Sequence, residues 1–348
     1  MQPTFSICVP QFNRTSFFLE ACRRLTRQTF DDFEVCVSDD CSTDGRSDEL
    51  VEFLRSSGLR HVYYRQQTNV RYDANLRTAI SLASGHYCLL MGNDDCFAKN
   101  DTLETLNREL LSHPEVGVVM TNYAEYGTGR VYRRVPNSRL VGAGPEVAAS
   151  RYRNFSFVSG ILLRTDRAKA HATAKWDGSE MYQMYIGCRI IAEGLDLLEL
   201  KDVAVLMGIS VDGESVDSYA SRPPIRPCPI TERRLPLTQL PGLVHDAVAP
   251  YAAARPARLA LKVFAPFLML TYPYWLVEYR RVQSWPFATG VALGMRPRNL
   301  FERTTIPPFC RWLLALVYLA VTAAGLSFPI GVFDRLRPWF YRVAKSVR

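Results

Sequence analysis

Several features that mark common protein classes are missing from this chain of 348 residues. Its nine cysteines include no CxxC pair, which argues against a zinc site and a disulfide framework, and we expect reduced thiols in a cytosolic compartment. The first residues show no basic segment followed by an apolar core, so we expect no signal peptide. No G-x-G-x-x-G follows the first apolar run, which disfavours a dinucleotide oxidoreductase.

Charge is distributed unevenly along the chain. Residues 1–216 hold 24 basic and 28 acidic side chains, whereas residues 217–348 hold 18 and 6, a net charge of +12. A basic segment predicts an anionic partner. Because this segment is also the most apolar part of the chain, a membrane surface is favoured over nucleic acid. A solvated basic face is the alternative.

The first 120 residues alternate short β-rich runs with segments of helical length. Predicted strands are Phe5–Val9, Phe33–Ser38, His61–Arg65, His86–Met91 and Val116–Met120, and predicted helices are Ser16–Thr29, Asp73–Ser84 and Asp101–His113. This alternation predicts an α/β fold with a mostly parallel sheet flanked by helices. Ligands of such sheets bind beyond the carboxyl ends of the strands. Polar residues that directly follow strands are therefore the candidate site.

An acidic pair, Asp94 and Asp95, follows the fourth predicted strand in the loop GNDDCF. Adjacent carboxylates repel each other unless a cation lies beside them. Mg²⁺ or Mn²⁺ would suit these oxygens and could share the oxygens of a diphosphate. The pattern therefore indicates a metal-diphosphate site, with a solvated turn as the alternative.

Two further loops follow strands. Asp39 lies just past the second strand, where a carboxylate can accept the N–H of a uracil-like base or hold a ribose. Asp44 is better explained by an Asx turn near a helix N-cap. After Pro10 ends the first strand, Asn13 or Arg14 could face a base or phosphates.

Together these loops resemble the family 2 glycosyltransferases, which have the GT-A fold, over about residues 4–210. The resemblance rests on VPQFNR at Val9–Arg14, on EVCVSDDCSTDG at 34–45, and on Thr68–Asp95, which ends in LLMGNDD. It implies the transfer of a sugar from a nucleotide-diphosphate carrier, inversion at the anomeric carbon, and Mn²⁺ or Mg²⁺ as cofactor.

The resemblance also implies roles for single residues. Pro10 and Asn13 would shape the nucleotide pocket with Arg14, Asp39 would recognise the base, and Asp94 and Asp95 would bind the metal and the donor, with Asn93 beside them. This chain has Gly92 where the family's loop usually begins with Asp, which moves metal binding onto the two later carboxylates. Arg71 could contact the phosphates or be a solvated residue at a helix start.

The general base that accepts the acceptor's proton usually comes, in this family, from an E-D pair that opens a helix. Here the predicted helix Ser179–Glu193 has no such pair, and the register places Tyr182 and Gln183 at its positions. Glu180 is our first candidate for the base and Asp177 our second. A simple capping role at the helix start is the alternative, because acids are favourable there.

We divide the chain into a catalytic domain (1–215), a Pro-rich linker and connecting segment (216–258), and a basic, apolar region (259–348). In the last region, Val263–Val277 contains two prolines, and Trp312–Phe333 is uncharged and long enough to span a bilayer. Basic residues flank the second run on both sides. This favours peripheral or monotopic attachment to the cytoplasmic face of the inner membrane over spanning or a soluble helix.

Membrane attachment favours a lipid-linked acceptor. By analogy with O-antigen and capsule-type transferases, we expect a polyprenyl-diphosphate-linked saccharide. The alternatives are a polyprenyl-phosphate sugar synthase and a catalytically silent membrane scaffold.

Overall fold

The protein consists of two compact units. The structure, a computed structural model, describes residues 2–215 and 229–345. Described residues 2–144 and 154–215 form the first unit, and residues 145–153 and 229–345 form the second. The short segment 145–153 therefore belongs with the later helices, which the sequence did not indicate. Of the predicted Pro-rich stretch Ser221–Pro229, all but Pro229 lies outside the described residues.

The regular elements follow each other in a β/α order through the first unit and become helical in the second. The strands are β1 (Phe5–Gln11), β2 (Phe33–Asp39), β3 (His61–Arg65), β4 (Tyr87–Leu90), β5 (Cys96–Phe97), β6 (Val116–Glu125), β7 (Val131–Tyr132), β8 (Arg139–Gly142), β9 (Ile161–Arg164), β10 (Asp196–Met207), β11 (Ser210–Val211) and β12 (Glu214–Ser215). The helices are α1 (Thr15–Leu25), α2 (Ser47–Ser56), α3 (Arg71–Leu82), α4 (Thr102–Leu111), α5 (Pro145–Arg151), α6 (Thr165–Ala170), α7 (Tyr182–Glu193), α8 (Pro236–Val248), α9 (Pro256–Pro266), α10 (Tyr272–Val282), α11 (Trp285–Gly294), α12 (Pro297–Leu300), α13 (Pro308–Ser327) and α14 (Ile330–Lys345).

The main sheet has the order β3-β2-β1-β4-β9-β6-β10-β5, with β7 beside β6 and β8 beside β10. β1 is parallel to β2 and β4, β2 is parallel to β3, and β6 is parallel to β10. β9 runs antiparallel between β4 and β6. The prediction of a mostly parallel sheet flanked by helices is therefore confirmed, and the carboxyl ends of β1, β2 and β4 meet at one edge.

Continuous apolar runs explain why the central strands are buried. Every residue of β2 is buried, as expected for a strand covered on both faces. Phe18, Leu50 and Leu103, from three different helices, join one core cluster with side chains of β1 and β2. Leu76 of α3 is buried outside that cluster, and α3 packs on the same two strands. The core therefore fixes the strand ends that carry the candidate site.

The second unit differs from the sequence prediction in two places. Pro256–Val282 is one helical stretch although it contains Pro266 and Pro273. A π-helical turn at Phe267–Thr271 changes the hydrogen-bonding pattern between these two prolines, which have no N–H to donate. The uncharged run that begins at Trp312 is broken, since α13 ends at Ser327 and a proline follows two residues later. By length and composition, Pro256–Val282 and Pro308–Ser327 could each cross a membrane.

Candidate active site

The loops that follow β1 and β2 are tied to each other. The backbone N–H of Asn13 donates to Ser42 Oγ (2.8 Å), and Asn13 Oδ1 accepts from the backbone N–H of Thr43 (2.7 Å). Asn13 and Arg14 both have a left-handed backbone, with φ of 51° and 56°. Such conformations are uncommon outside glycine and are retained where the surroundings fix them. The two loops therefore form one ordered surface beside Pro10.

Asp39 organises this surface from inside the protein. It is fully buried, and its Oδ1 accepts from the backbone N–H of Ser42 (2.8 Å). Its Oδ2 accepts from Ser47 Oγ (3.1 Å) and from the Tyr63 hydroxyl (2.5 Å). Contact between Asp39 and a nucleotide base stays a prediction. In this structure the carboxylate holds the loop.

Asn93 plays a similar part between β4 and β1. Its Nδ2 donates to Gln11 Oε1 (2.9 Å) and to the backbone oxygen of Asn13 (3.2 Å). Gln11 Nε2 donates to the same backbone oxygen (2.7 Å). Asn93 and Gln11 are both buried. Sequence reasoning missed Gln11, although a polar residue at the end of an apolar strand is a usable signal.

Asp94 is the carboxylate of the acidic pair that faces the loop surface. Its Oδ2 lies 3.0 Å from Arg14 Nη1, and the two side chains are 15% and 36% exposed. The backbone N–H of Ile209 donates to the Asp94 backbone oxygen (2.8 Å). The structure thus brings together two residues that are 80 positions apart and were predicted separately.

Asp95 points the other way, into the protein. It is 3% exposed; its Oδ2 accepts from Ser159 Oγ, and its Oδ1 accepts from the backbone N–H of Gly208 (3.0 Å). Burial and the neighbouring Asp94 charge raise the pKa of Asp95 to about 7. A Cβ atom at Gly92 would lie 2.8 Å from Asp95 Oδ2. The Asp95 carboxylate thus crowds the space where a leading side chain at position 92 would start.

These residues fit a divalent cation held mainly by phosphates. Within residues 2–215 and 229–345, no group of three or more His, Cys, Asp or Glu side chains could enclose a metal ion. Mg²⁺ typically uses one or two carboxylates together with substrate phosphates rather than an all-protein cage. Asp94 supplies such a hard oxygen donor. The donor set therefore suits a metal that arrives with a diphosphate.

The start of α3 is held by Asp40, the second carboxylate after β2. Asp40 accepts from the backbone N–H groups of Val70 (2.5 Å) and Arg71 (2.9 Å). Burial raises the pKa of Asp40, and these hydrogen bonds oppose that rise. Arg71 has a left-handed backbone with φ of 67° and an exposed side chain. Phosphate contact and a solvated helix start both stay predictions for Arg71.

The two candidate bases lie before α7, not within it. The helix begins at Tyr182 and has no acid in its first turn, so the predicted start at Ser179 and the capping role are both wrong. Asp177 forms a bidentate ion pair with Arg77 (2.5 and 2.8 Å). Glu180 is exposed and has φ of 58°. Among the described residues, Glu180 is thus the candidate whose carboxylate makes no such ion pair.

Gln183, which the predicted register places at one of the family's pair positions, is buried. Its Oε1 accepts from the Tyr72 hydroxyl (3.0 Å), and its Nε2 donates to the backbone oxygen of Phe155 (3.1 Å). Its neighbour Tyr182 is also buried. An amide cannot act as the base, so these positions do not replace Glu180.

Comparisons with known proteins agree with this geometry. Residues 6–168 match the domain described as glycosyl transferase family 2. An abequosyltransferase of Salmonella typhimurium is 28% identical over 200 residues, which cover 52% of this chain and 56% of that protein. A PGL/p-HBAD biosynthesis glycosyltransferase of Mycobacterium bovis is 30% identical over 141 residues, 40% of this chain and 52% of that protein. The chain thus matches little more than half the length of these relatives.

The fold has counterparts among solved structures. TarS 1–349 of S. aureus has a TM-score of 0.62 at 16% identity, covering 96% of this chain and 92% of that one. Its complex with UDP-GlcNAc has a TM-score of 0.58 at 17% identity, covering 92% and 91%. The predicted resemblance and fold are confirmed: residues 6–168 resemble the family 2 glycosyltransferases, and the fold is GT-A-like.

Proposed function

We propose that this protein is a metal-dependent glycosyltransferase that moves a sugar from a nucleotide-diphosphate donor to a lipid-linked saccharide. The observation that carries the proposal is the Arg14–Asp94 pair at the carboxyl edge of the sheet. One acid and one base lie there side by side, beyond the ends of β1 and β4. A metal-diphosphate complex needs both charges, because the carboxylate suits the cation and the guanidinium suits the phosphates.

Within this proposal each polar residue has a defined task. Asp94 would hold Mn²⁺ or Mg²⁺, which supplies Lewis-acid stabilisation of the leaving diphosphate when bound. Arg14 would turn from Asp94 to a phosphate oxygen. Asp95 would support the loop that carries Asp94 and would not bind the metal itself, because its two oxygens already accept hydrogen bonds from Ser159 and Gly208. Asp39 and Asn93 would hold the loops that receive the nucleotide.

Glu180 would accept the proton of the acceptor hydroxyl, as inverting transfer requires. Its exposure supports this role, whereas both carboxylate oxygens of Asp177 accept hydrogen bonds from the Arg77 guanidinium. The relatives are named as an abequosyltransferase and as a PGL/p-HBAD biosynthesis glycosyltransferase, which supports the transfer of a sugar. Synthesis of a cell-surface polysaccharide on a polyprenyl diphosphate is the context we propose.

The donor assignment is tested by thermal shift with a panel of nucleotide sugars, each with and without Mn²⁺. Binding to the folded state raises the unfolding temperature by mass action. We expect a shift with one nucleotide class that grows when Mn²⁺ is present and is lost in Asp94→Asn. Asp48→Asn, an exposed acid in the first turn of α2, is the matched control. No shift with any donor in the presence of Mn²⁺ would contradict the proposal.

We also propose that α13 lies in the plane of the cytoplasmic membrane surface. One face packs within the second unit through Leu314 and Tyr318, whose hydroxyl donates to the Ala292 backbone oxygen (2.7 Å). The opposite face exposes large apolar side chains, namely Phe309 (72%), Trp312 (62%), Leu316 (44%) and Leu319 (60%). A helix with one packed face and one apolar exposed face suits interfacial binding better than spanning.

Basic side chains support the same orientation. Arg311 lies within α13 and Arg335 within α14, and both are exposed. Positive charge in the helices that carry exposed apolar side chains favours an anionic bilayer. We expect the full chain to sediment with vesicles rich in phosphatidylglycerol, and Trp312→Glu with Leu319→Glu to abolish this. Leu111→Glu, at a residue 76% exposed in the first unit, is the matched control. Unchanged sedimentation of the double variant would refute the in-plane assignment.

A further inference from the structure

The backbone at Glu180 adopts a conformation that needs an external restraint. Its φ of 58° is in the left-handed region, where any residue other than glycine is strained. The residue lies between the end of the preceding loop and the start of α7, with its side chain exposed. An exposed loop would relax from this conformation unless another part of the chain fixed it.

The restraint comes from Asp73 of α3. Asp73 Oδ2 accepts from the backbone N–H groups of Gly178 (2.8 Å) and Glu180 (2.8 Å), and its Oδ1 accepts from that of Tyr182 (3.0 Å). The side chain is 3% exposed. One buried carboxylate thus binds three backbone donors on both sides of Glu180, more than 100 residues away in sequence.

The start of α3 also contacts the loop that follows β2, on the nucleotide side of the site. Asp40 accepts from the backbone N–H groups of Val70 and Arg71, which lie three and two residues before Asp73. Asp40 itself follows Asp39 at the end of β2. The connection therefore runs from the loop after β2, through the first turn of α3, to the loop that carries Glu180.

A cap for α7 alone would not require this arrangement. The N–H of Tyr182 belongs to the first turn of α7, but Gly178 and Glu180 precede the helix, and their N–H groups point to the same carboxylate. Two of the three hydrogen bonds therefore shape the loop, not the helix. They fix the peptide units that determine where the Glu180 side chain leaves the backbone.

We propose that Asp73 is a positioning residue that holds Glu180 at the place where the acceptor hydroxyl must be deprotonated. The inference rests on the proposed function, because it assumes that Glu180 is the base. Asp73 does not touch the reacting atoms in this scheme. Its removal would leave Glu180 present but displaced, and a displacement of about 1 Å can lower turnover by about 100-fold.

The test is a double-mutant cycle with Asp73→Asn and Glu180→Gln in the full chain. The assay measures hydrolysis, by release of nucleoside diphosphate, of the sugar nucleotide that gives the largest thermal shift with Mn²⁺; water takes the acceptor's place. We expect Glu180→Gln to lower kcat about 100-fold or more. We expect Asp73→Asn to lower kcat about tenfold, since one oxygen remains, with the donor KM unchanged. In the Glu180→Gln background, Asp73→Asn should have no further effect.

Asp32→Asn is the matched control. Asp32 also accepts from a backbone N–H, that of Thr4 (2.9 Å), but at the opposite edge of the sheet. This variant should leave kcat within about twofold of wild type whatever its effect on stability, as expected for a distant site. A kcat loss equal to that of Asp73→Asn would show general destabilisation and overturn the inference.

The outcomes separate the two proposals. If the wild-type chain hydrolyses a donor but the two substitutions act independently, Asp73 does not work through Glu180 and the positioning role is wrong, while the transferase assignment stands. If the wild-type chain turns over no donor with Mn²⁺, the proposed function and this inference both fall.

Discussion

Asn substitutions at the two adjacent carboxylates should separate ligand binding from loop stability. Asp94 is in a partly exposed pair with Arg14, and such pairs contribute about 0.5 kcal/mol. Asp94→Asn should therefore leave the unfolding temperature of the first unit almost unchanged. It should lower Mn²⁺-dependent donor turnover about 100-fold, because a metal's charge stabilisation is worth several kcal/mol.

Asp95→Asn should show the opposite balance. An amide retains one oxygen for Ser159 or Gly208, and the donor left without an acceptor costs about 1–3 kcal/mol. Loss of the buried charge, whose cost is visible in the raised pKa of about 7, offsets part of this. A net loss of about 1–2 kcal/mol corresponds to roughly 2–8 °C for a unit of this size.

Two assays on the same preparations distinguish a role in metal binding from a role in loop stability. Calorimetry gives the unfolding temperature, and titration with Mn²⁺ at a fixed donor concentration gives the metal midpoint. We expect the midpoint to move to higher Mn²⁺ in Asp94→Asn and to stay near wild type in Asp95→Asn. A stable Asp95→Asn protein whose activity returns at high Mn²⁺ would show that Asp95 is a direct metal ligand and refute this division.

Three other changes have outcomes that the structure fixes. Gly92→Ala should lower both stability and donor turnover, because the new Cβ would lie 2.8 Å from the Asp95 carboxylate, and calorimetry with the hydrolysis assay measures both effects. Burial lowers the pKa of His245 to about 4, below an unfolded value near 6.5, so the unfolded state binds more protons between these values. The free energy of unfolding should thus fall by about 3 kcal/mol from pH 6.5 to pH 4, and His245→Gln should remove this component in denaturant titrations at each pH. Tyr318→Phe should destabilise the second unit by about 1 kcal/mol, measured by denaturant midpoint, since it removes a buried hydrogen bond.

The sheet and the site's position could be predicted from the sequence because their signals are local. Apolar runs followed at once by polar residues mark the ends of β1, β2 and β4, and a parallel sheet brings such ends together. The sequence pattern alone therefore indicates Arg14, Asp39 and Asp94 as candidates. Their predicted roles as nucleotide or metal contacts stay predictions.

The direction in which a side chain points, and its contacts with residues far away in sequence, could not be predicted in the same way. Asp73 and Glu180 lie more than 100 residues apart, and no local pattern in α3 indicates that a carboxylate there holds a distant loop. From the sequence alone, Asp73 is an ordinary acidic residue in the first turn of a helix. The predicted start of α7 was wrong for the same reason, since the acids before Tyr182 belong to the loop that Asp73 holds.

The acidic pair illustrates how the backbone can point two identical side chains in opposite directions. The two residues that follow β10 fix the loop: the Gly208 N–H donates to Asp95 Oδ1, and the Ile209 N–H donates to the Asp94 backbone oxygen. With the backbone held there, Asp95 points inward and Asp94 points to Arg14. Gly92 makes the inward position possible, because any larger residue would crowd the Asp95 carboxylate. The absence of an acidic residue at position 92 is therefore coupled to the burial of Asp95. We expect Gly92→Asp to displace the Asp95 carboxylate from its buried position.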